Sequence, residues 1–370
     1  MPIATQQQPK STIDSLKSAL KETVISDTSS AITSQAADSS ELTDKYSNFA
    51  ATPATGTEFR AFSTDGKPTL SIREVLEDEQ KLAQLGKLVS ERGVVFFRDA
   101  VISPEEQISL VDKLGKLGGK PADSGLHIHP LTLEGGKYGD EISVISNEFV
   151  FDSKFERPKR LRVKGDTLWH SDVTFETKPS DYATLQIRTF PAVGGDTLWA
   201  SAYEAYDRLS PYYQKFLEGL TAFHSAPFFV EQAKNKGVPV RENRGSPDNK
   251  GQHLTNSHPV IRTNPVTGWK GLFVNRGFTK KINELNQDES DHLLEFLFAH
   301  VASNHDLQAR FRWEPNNLAI WDNRSAFHAA TYDLGDDVRI GTRSVSVGEK
   351  PYFDPESKSR REDLDSRNKV

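Results

Sequence analysis

Trp169-His170-Ser171-Asp172-Val173-Thr174-Phe175 is the stretch on which the reading of this chain turns. Taken as a strand, it places residues two apart on one face, so His170 and Asp172 offer an imidazole and a carboxylate together. Trp169, Val173 and Phe175 would keep that face dry. Of the ten histidines, His170 alone has an Asp two residues on. A distant stretch, Trp321-Asp322-Asn323-Arg324-Ser325-Ala326-Phe327-His328, offers a second imidazole, read as coming from an antiparallel strand opposite. Two histidines and one carboxylate on one side of an iron leave three positions for a chelating cosubstrate and oxygen. An isolated His-x-Asp triplet also fits a surface strand with a satisfied core histidine.

Further on, Arg339, Gly341 and Arg343 share one face of a predicted strand. Guanidinium groups grip carboxylate or sulfonate through two parallel hydrogen bonds. Gly341 between them is read as leaving volume where a ligand can lie. The plain alternative is an exposed strand, with Arg339 pairing to Asp333, Asp336 or Asp337.

Around these motifs the pattern predicts many strands with helices between them. Glu74–Glu91, Pro104–Leu117, Ser201–Leu220 and Asp288–His300 read as helices. Gly93–Arg98, Ile142–Ile145, Asp181–Thr189, Thr197–Trp199, Leu318–Trp321 and Arg339–Val347 read as strands. Val260–Arg262 and Gly271–Val274 flank Asn264-Pro265-Val266-Thr267-Gly268, a hairpin signal. The expected fold is mainly β with flanking helices, built on a double-stranded β-helix (jelly-roll) core. Residues 1–50 are rich in Ser, Thr, Ala and Gln and read as a disordered polar arm, with a hint of a short helix at Ile13, Leu16 and Leu20. Residues 51–353 form the expected catalytic domain, and 354–370 a charged, solvated tail.

Composition narrows the function. A net charge of −6 gives no electrostatic case for nucleic acid or an anionic membrane. The absence of cysteine removes disulfides, thiolate catalysis and cysteine-ligated metals. No apolar run approaches membrane-spanning length, and the N-terminus lacks the apolar core of a secretory signal. A cytoplasmic protein is expected. A mean hydropathy of −0.58 fits polar tails around an ordinary core.

The motifs taken in order resemble the taurine dioxygenase family, and the long polar arm is similar to that of fungal sulfonate dioxygenases. The resemblance runs from about Arg92 to Phe353. Besides the two metal motifs it rests on Val94-Val95-Phe96-Phe97-Arg98-Asp99, Leu126-His127-Ile128-His129-Pro130, Gly194-Gly195-Asp196-Thr197-Leu198-Trp199, His258–Thr263, Leu272–Asn275 and Gly277-Phe278-Thr279. It implies iron(II) on His170, Asp172 and His328, with 2-oxoglutarate and O2 as cosubstrates. Thr197 and Arg339 would hold the distal carboxylate of 2-oxoglutarate. Arg343 and His129 would bind a substrate sulfonate, and Phe278 would wall the pocket or belong to ordinary core. His127 is read as structural.

Two departures bear on the substrate. Thr132 stands where taurine-specific members carry Tyr, and Asp166 where they carry Asn. Asp166 can pair with a substrate ammonium, although a turn residue after Gly165 is the preferred reading. The basic stretch 149–164 is a lid over the site or a solvated loop. The expected reaction hydroxylates the carbon next to a sulfonate, releasing sulfite and an aldehyde with succinate and CO2. The alternatives are the same chemistry on an amino acid or carboxylate, an alkyl sulfate dioxygenase, or a jelly-roll module that holds a metal without turnover. The partner expected is a small anionic substrate, and the resemblance suggests a homo-oligomer, a dimer or tetramer.

Overall fold

Val94-Val95-Phe96-Phe97 is apolar at every position because its strand is buried on both faces. Val94 and Phe96 turn inward, and Val95 and Phe97 turn toward helices. The computed structural model describes residues 32–147, 165–334 and 336–367. The expected helix at Ile13–Leu20 and the basic stretch 149–164 lie outside the described residues.

The strands, in chain order, are β1 (Asn48–Ala50), β2 (Thr57–Phe59), β3 (Val94–Phe97), β4 (Ile142–Ser146), β5 (Ser180–Thr189), β6 (Thr197–Ser201), β7 (Thr221–Ser225) and β8 (Thr255–Pro259). They continue with β9 (Ile261–Thr263), β10 (Lys270–Leu272), β11 (Thr279–Ile282), β12 (Gln308–Phe311), β13 (Leu318–Asp322), β14 (Ala326–Ala330) and β15 (Ile340–Val347). A seven-stranded sheet runs β1-β2-β3-β13-β5-β15-β4, and a three-stranded sheet runs β12-β6-β14. Two smaller sheets, β11-β7-β8 and the β9–β10 hairpin, extend the structure.

The large sheet and the β12-β6-β14 sheet face each other. Ala183, Leu185 and Ile187 of β5 meet Trp199 of β6 and Phe311 of β12 across this gap. Trp199 packs edge-on to Phe96 at 5.2 Å and to Trp321 at 5.9 Å. Behind the large sheet lie helices Glu79–Arg92 and Pro104–Leu117. Behind the small one lie helices Ala202–Asp207 and Gln287–Ser303. The architecture is therefore mixed sheets flanked by helices, with β confined to the centre.

Several boundaries differ from the sequence reading for local reasons. The helix expected over Glu74–Glu91 is two, Ile72–Glu77 and Glu79–Arg92, because the Asp78 carboxylate accepts from the backbone N–H groups of Gln80 and Lys81 and starts a new helix. Ser201–Leu220 is likewise divided into Ala202–Asp207 and Pro211–Leu217, where the Ser210 cap and Pro211 restart the chain. Residues 33–50, expected as part of a disordered polar arm, belong to the folded unit. Within it, Leu42 and Tyr46 are buried, and the Ser34 N–H donates to the Leu117 carbonyl at 2.8 Å. The charged tail also docks. Helix Arg360–Arg367 buries none of its residues, but Trp269 Nε1 donates to Asp363 at 2.9 Å, so the contact is polar.

Candidate metal centre

His170 does not lie in a strand. It forms a single antiparallel bridge with His328 of β14, and the chain then turns. The bridge is reciprocal: the His170 N–H donates to the His328 carbonyl at 3.0 Å, and the His328 N–H to the His170 carbonyl at 2.8 Å. Asp172 begins the turn, closed by the Glu176 N–H on the Val173 carbonyl at 2.9 Å. Val173 has φ +52°, a left-handed conformation that a β-branched residue adopts only under constraint. The strand periodicity read from sequence is therefore replaced by a bridge followed by a tight turn, which brings the same two side chains together.

Asn323 supplies the constraint. Its Oδ1 accepts from the Asp172 N–H at 3.0 Å and from Trp321 Nε1 at 3.1 Å. Its Nδ2 donates to Ser180 Oγ at 2.9 Å, and its carbonyl accepts from Ser171 Oγ at 2.7 Å. The loop after β13 thus pins the loop that carries Asp172.

His170, Asp172 and His328 place ligand atoms within 4.8 Å of one another. His170 Nε2 and His328 Nε2 lie 3.9 and 3.8 Å from Asp172 Oδ1. A divalent ion bonded at about 2.1 Å to each would hold such atoms about 3 to 4 Å apart. The His170 Nδ1 lies 2.8 Å from the Leu168 carbonyl and donates to it, leaving the Nε2 lone pair for a ligand bond. His328 lacks such a partner on Nδ1 and packs against Trp321 at 5.0 Å. Asp172 Oδ2 is buried without a hydrogen bond. Burial, and then His170, lowers the His328 imidazole to about 3, and burial likewise lowers His170. Burial opposes the Asp172 charge, yet Arg343, His328 and His170 outweigh it and hold the carboxyl at about 2. Neutral imidazoles beside an ionised carboxylate are the protonation states a metal requires.

Arg343 joins this group, its Nη1 donating to Asp172 Oδ1 at 2.7 Å. Arg339 and Thr197 also come together: Arg339 donates from Nε to the Gly195 carbonyl at 2.9 Å and from Nη2 to Thr197 Oγ1 at 3.1 Å. Burial draws the Arg339 guanidinium down to about 10, still charged at neutral pH. Among the described residues no carboxylate forms a salt bridge with it, and the sequence alternative of pairing to Asp333, Asp336 or Asp337 is not seen. Gly341, by contrast, leaves no room for a ligand. A Cβ there would meet Gln186 O and Ile187 Cδ1, both at 2.7 Å, so this glycine serves the close approach of β15 to β5.

His129 accepts the Leu131 N–H on Nδ1 at 3.2 Å, which leaves Nε2 as its donor. Phe278 stands edge-on to His170 at 6.1 Å. For Asp166 the sequence offers both a substrate role and a turn role. The residue sits in a 3-10 turn, Gly165–Leu168, with its carboxylate 3.8 Å from Arg276, which supports the turn reading. Several neighbours carried no sequence signal. Trp313 Nε1 donates to Thr197 Oγ1 at 3.0 Å. Phe229 lies edge-on to His129 at 4.8 Å, on a helix, Pro227–Lys236, that the sequence pattern did not reveal. Glu176, after the metal turn, is held by a buried ion pair with Arg244.

Two imidazoles and a carboxylate facing one point, on sheets flanked by helices, define a non-haem iron oxygenase. The chain matches the Taurine catabolism dioxygenase TauD, TfdA family over residues 50–345, and it belongs to that family. It is 42% identical over 334 residues to the alpha-ketoglutarate-dependent dioxygenase btcD of Neocamarosporium betae, covering 86% of this chain and 95% of that protein. It is 37% identical over 279 residues to the alpha-ketoglutarate-dependent sulfonate dioxygenase of Saccharomyces cerevisiae, covering 73% of this chain and 62% of that protein. Among solved structures, a taurine dioxygenase from Burkholderia xenovorans superposes with a TM-score of 0.61 at 27% identity, covering 85% of this chain and 92% of that one. The chain is accordingly an enzyme, a 2-oxoglutarate-dependent dioxygenase that uses iron(II) and O2. No helix among the described residues is long and apolar enough to cross a membrane.

Proposed function

We propose that this enzyme hydroxylates the carbon next to a sulfonate. The hydroxylated carbon then loses the sulfonate: the C–S bond breaks, its electron pair leaves with sulfite, and an aldehyde remains. In the balance, R–CH2–SO3−, 2-oxoglutarate and O2 give R–CHO, hydrogen sulfite, succinate and CO2. The observation that carries the reading is Arg343, which meets Asp172 at 2.7 Å and so would set an anion directly beside the metal. The likeness to the yeast sulfonate dioxygenase supports it. We read the two facing sheets as a double-stranded β-helix.

His170, Asp172 and His328 would hold the iron, which with 2-oxoglutarate and O2 supplies the oxidant that exchanges hydrogen for hydroxyl. Arg339 and Thr197 would orient the distal carboxylate of 2-oxoglutarate, with Trp313 holding the Thr197 hydroxyl. Arg343 and the His129 Nε2–H would grip the substrate anion and decide which carbon faces the metal. The phenyl groups of Phe175 and Phe278 would keep water from that carbon.

A second reading keeps these roles with a carboxylate as the substrate anion, since guanidinium grips both. The relative at 42% identity is named for its cosubstrate alone, so its name does not choose between the two anions. The discriminating experiment incubates enzyme, iron(II), ascorbate, 2-oxoglutarate and a panel of sulfonates in air, and measures succinate and sulfite together. Equal amounts of both are expected. Succinate that depends on a carboxylate substrate, with no sulfite from any sulfonate, would transfer the conclusion to the second reading.

A further inference from the structure

Four phenylalanines from three segments line one side of the metal residues. Phe175 lies within the metal turn, Phe228 and Phe229 open the helix Pro227–Lys236, and Phe278 precedes β11. Ring centroids lie 5.1 Å apart for Phe175 and Phe278, 5.7 Å for Phe175 and Phe229, and 4.2 Å for Phe228 and Phe229. The wall spans the site, with Phe229 at 4.8 Å from His129 and Phe278 at 6.1 Å from His170. Phe175 and Phe278 are buried, but Phe228 is 38% exposed and Phe229 only half-buried. Phenyl surface left open beside charged groups marks a place where something apolar docks.

The other half of the argument is charge. Arg343 spends Nη1 on Asp172 and leaves a buried Nε without a partner, and His129 keeps a donor on Nε2. These donors suit an anion. An ammonium would need a carboxylate, and Glu231, on the helix of Phe228 and Phe229, is exposed to water, while the more enclosed carboxylates on the described segments around the wall meet arginines. Asp172 meets Arg343 at 2.7 Å, Asp140 meets Arg241 at 2.7 Å, Asp166 meets Arg276 at 3.8 Å, and Glu176 is clasped by Arg244. Phenyl faces attract a cation, but less than its lost hydration costs when no carboxylate replaces the water. An apolar group on the same wall gains by every atom it removes from water.

We propose that the substrate joins its anion to an apolar body of about phenyl size rather than to an ammonium, with the anion on Arg343 and His129 and the body on Phe175, Phe228, Phe229 and Phe278. The inference rests on the reading of Arg343 and His129 as the anion site, but not on which anion it is. Isothermal titration of the iron(II)- and 2-oxoglutarate-loaded enzyme without O2 tests it, using 2-phenylethanesulfonate against taurine and 3-phenylpropanoate against β-alanine. The phenyl member of at least one pair binds at least ten-fold tighter than its ammonium partner. Phe229→Ala reduces that preference below three-fold and leaves the 2-oxoglutarate dissociation constant unchanged, and Phe228→Ala does the same where Phe229→Ala fails to fold. Phe229→Glu reverses the order by supplying a carboxylate. Ammonium members binding as tightly as phenyl members, no binding by any of the four, or a preference untouched by both alanine variants would overturn the proposal. A phenyl preference confined to the carboxylate pair keeps this inference and removes the sulfonate reading. Tight taurine binding with sulfite release in air does the reverse.

Discussion

The two arginines near the metal residues stand in different surroundings, and that difference is measurable. Arg339 is bound to Gly195 and Thr197, away from Asp172, whereas Arg343 touches Asp172 itself. Losing a charge-assisted pair costs about 10- to 100-fold in affinity. Arg339→Ala is expected to raise the KM for 2-oxoglutarate by that factor with little change in primary substrate binding, and Arg343→Ala to do the opposite. Titrations in which both variants weaken both ligands equally would undo this division. A third residue carries a pH signature. Burial pushes the Asp181 carboxyl up to about 6, although Arg324 and Lys120 oppose the shift, and its Oδ2 has no hydrogen bond. An acid whose folded pKa lies above its unfolded value of about 3.9 favours folding most below that value. That contribution is lost as pH rises through 6. Asp181→Asn should therefore melt higher than the parent at pH 7.5, with the gap narrowing by pH 5. A gap that does not change with pH would mean that Asp181 is not the group responsible.

Among the elements, helix Pro104–Leu117 shows how local chemistry supports the sheet that carries the site. Ser103 Oγ accepts from the Glu106 N–H at 3.2 Å, and the Ser103 N–H donates to the Glu106 carboxylate at 2.6 Å. This capping box starts a helix whose Leu110 and Leu114 pack beneath the large sheet. Ser103→Ala is expected to cost about 1 kcal/mol of stability while leaving turnover intact, read by denaturant unfolding and steady-state kinetics. The same helix was legible residue for residue, because proline, cap and apolar spacing agree within fourteen positions. β3, β5, β13, β15 and the β9–β10 hairpin were legible from apolar runs, alternation along a strand and a turn signal. The metal residues were identified by type, yet their local structure was misread, since nothing in a seven-residue window shows that Asn323, 151 positions away, holds Asp172 in a turn. The helix bearing Phe228 and Phe229 is weakly marked in the sequence because only Ala233 follows the leading Phe228-Phe229-Val230 cluster at helical spacing. Gly341 was read as empty space because a sequence does not show how closely β15 approaches β5.

At the scale of the whole molecule, the metal residues tie together distant parts of the chain. His170 bridges to His328 of β14 in the small sheet, and Asp172 is pinned by Asn323 at the end of β13 in the large one, so an ion would cross-link the two sheets. Ligands that bind only the folded state stabilise it by mass action, by about 2.7 kcal/mol at one hundred times the dissociation constant. Chelation is expected to lower the melting temperature and manganese(II) to restore it, with His170→Ala insensitive to both. An unchanged melting curve after verified metal removal would show that the three side chains hold no ion. The chain N-terminal to β1 matters at this scale too, since Leu42 and Tyr46 close the core beneath helix Glu79–Arg92.

The reciprocal pair of hydrogen bonds between His170 and His328 has an evolutionary consequence. The spacing of these two histidines is written in main-chain register, which point mutations elsewhere leave alone. Three of the four wall phenylalanines, Phe228, Phe229 and Phe278, are written in side-chain identity, on segments that lend nothing to that register. A lineage of such enzymes can therefore change what it oxidises one codon at a time without passing through an ancestor that has lost its iron.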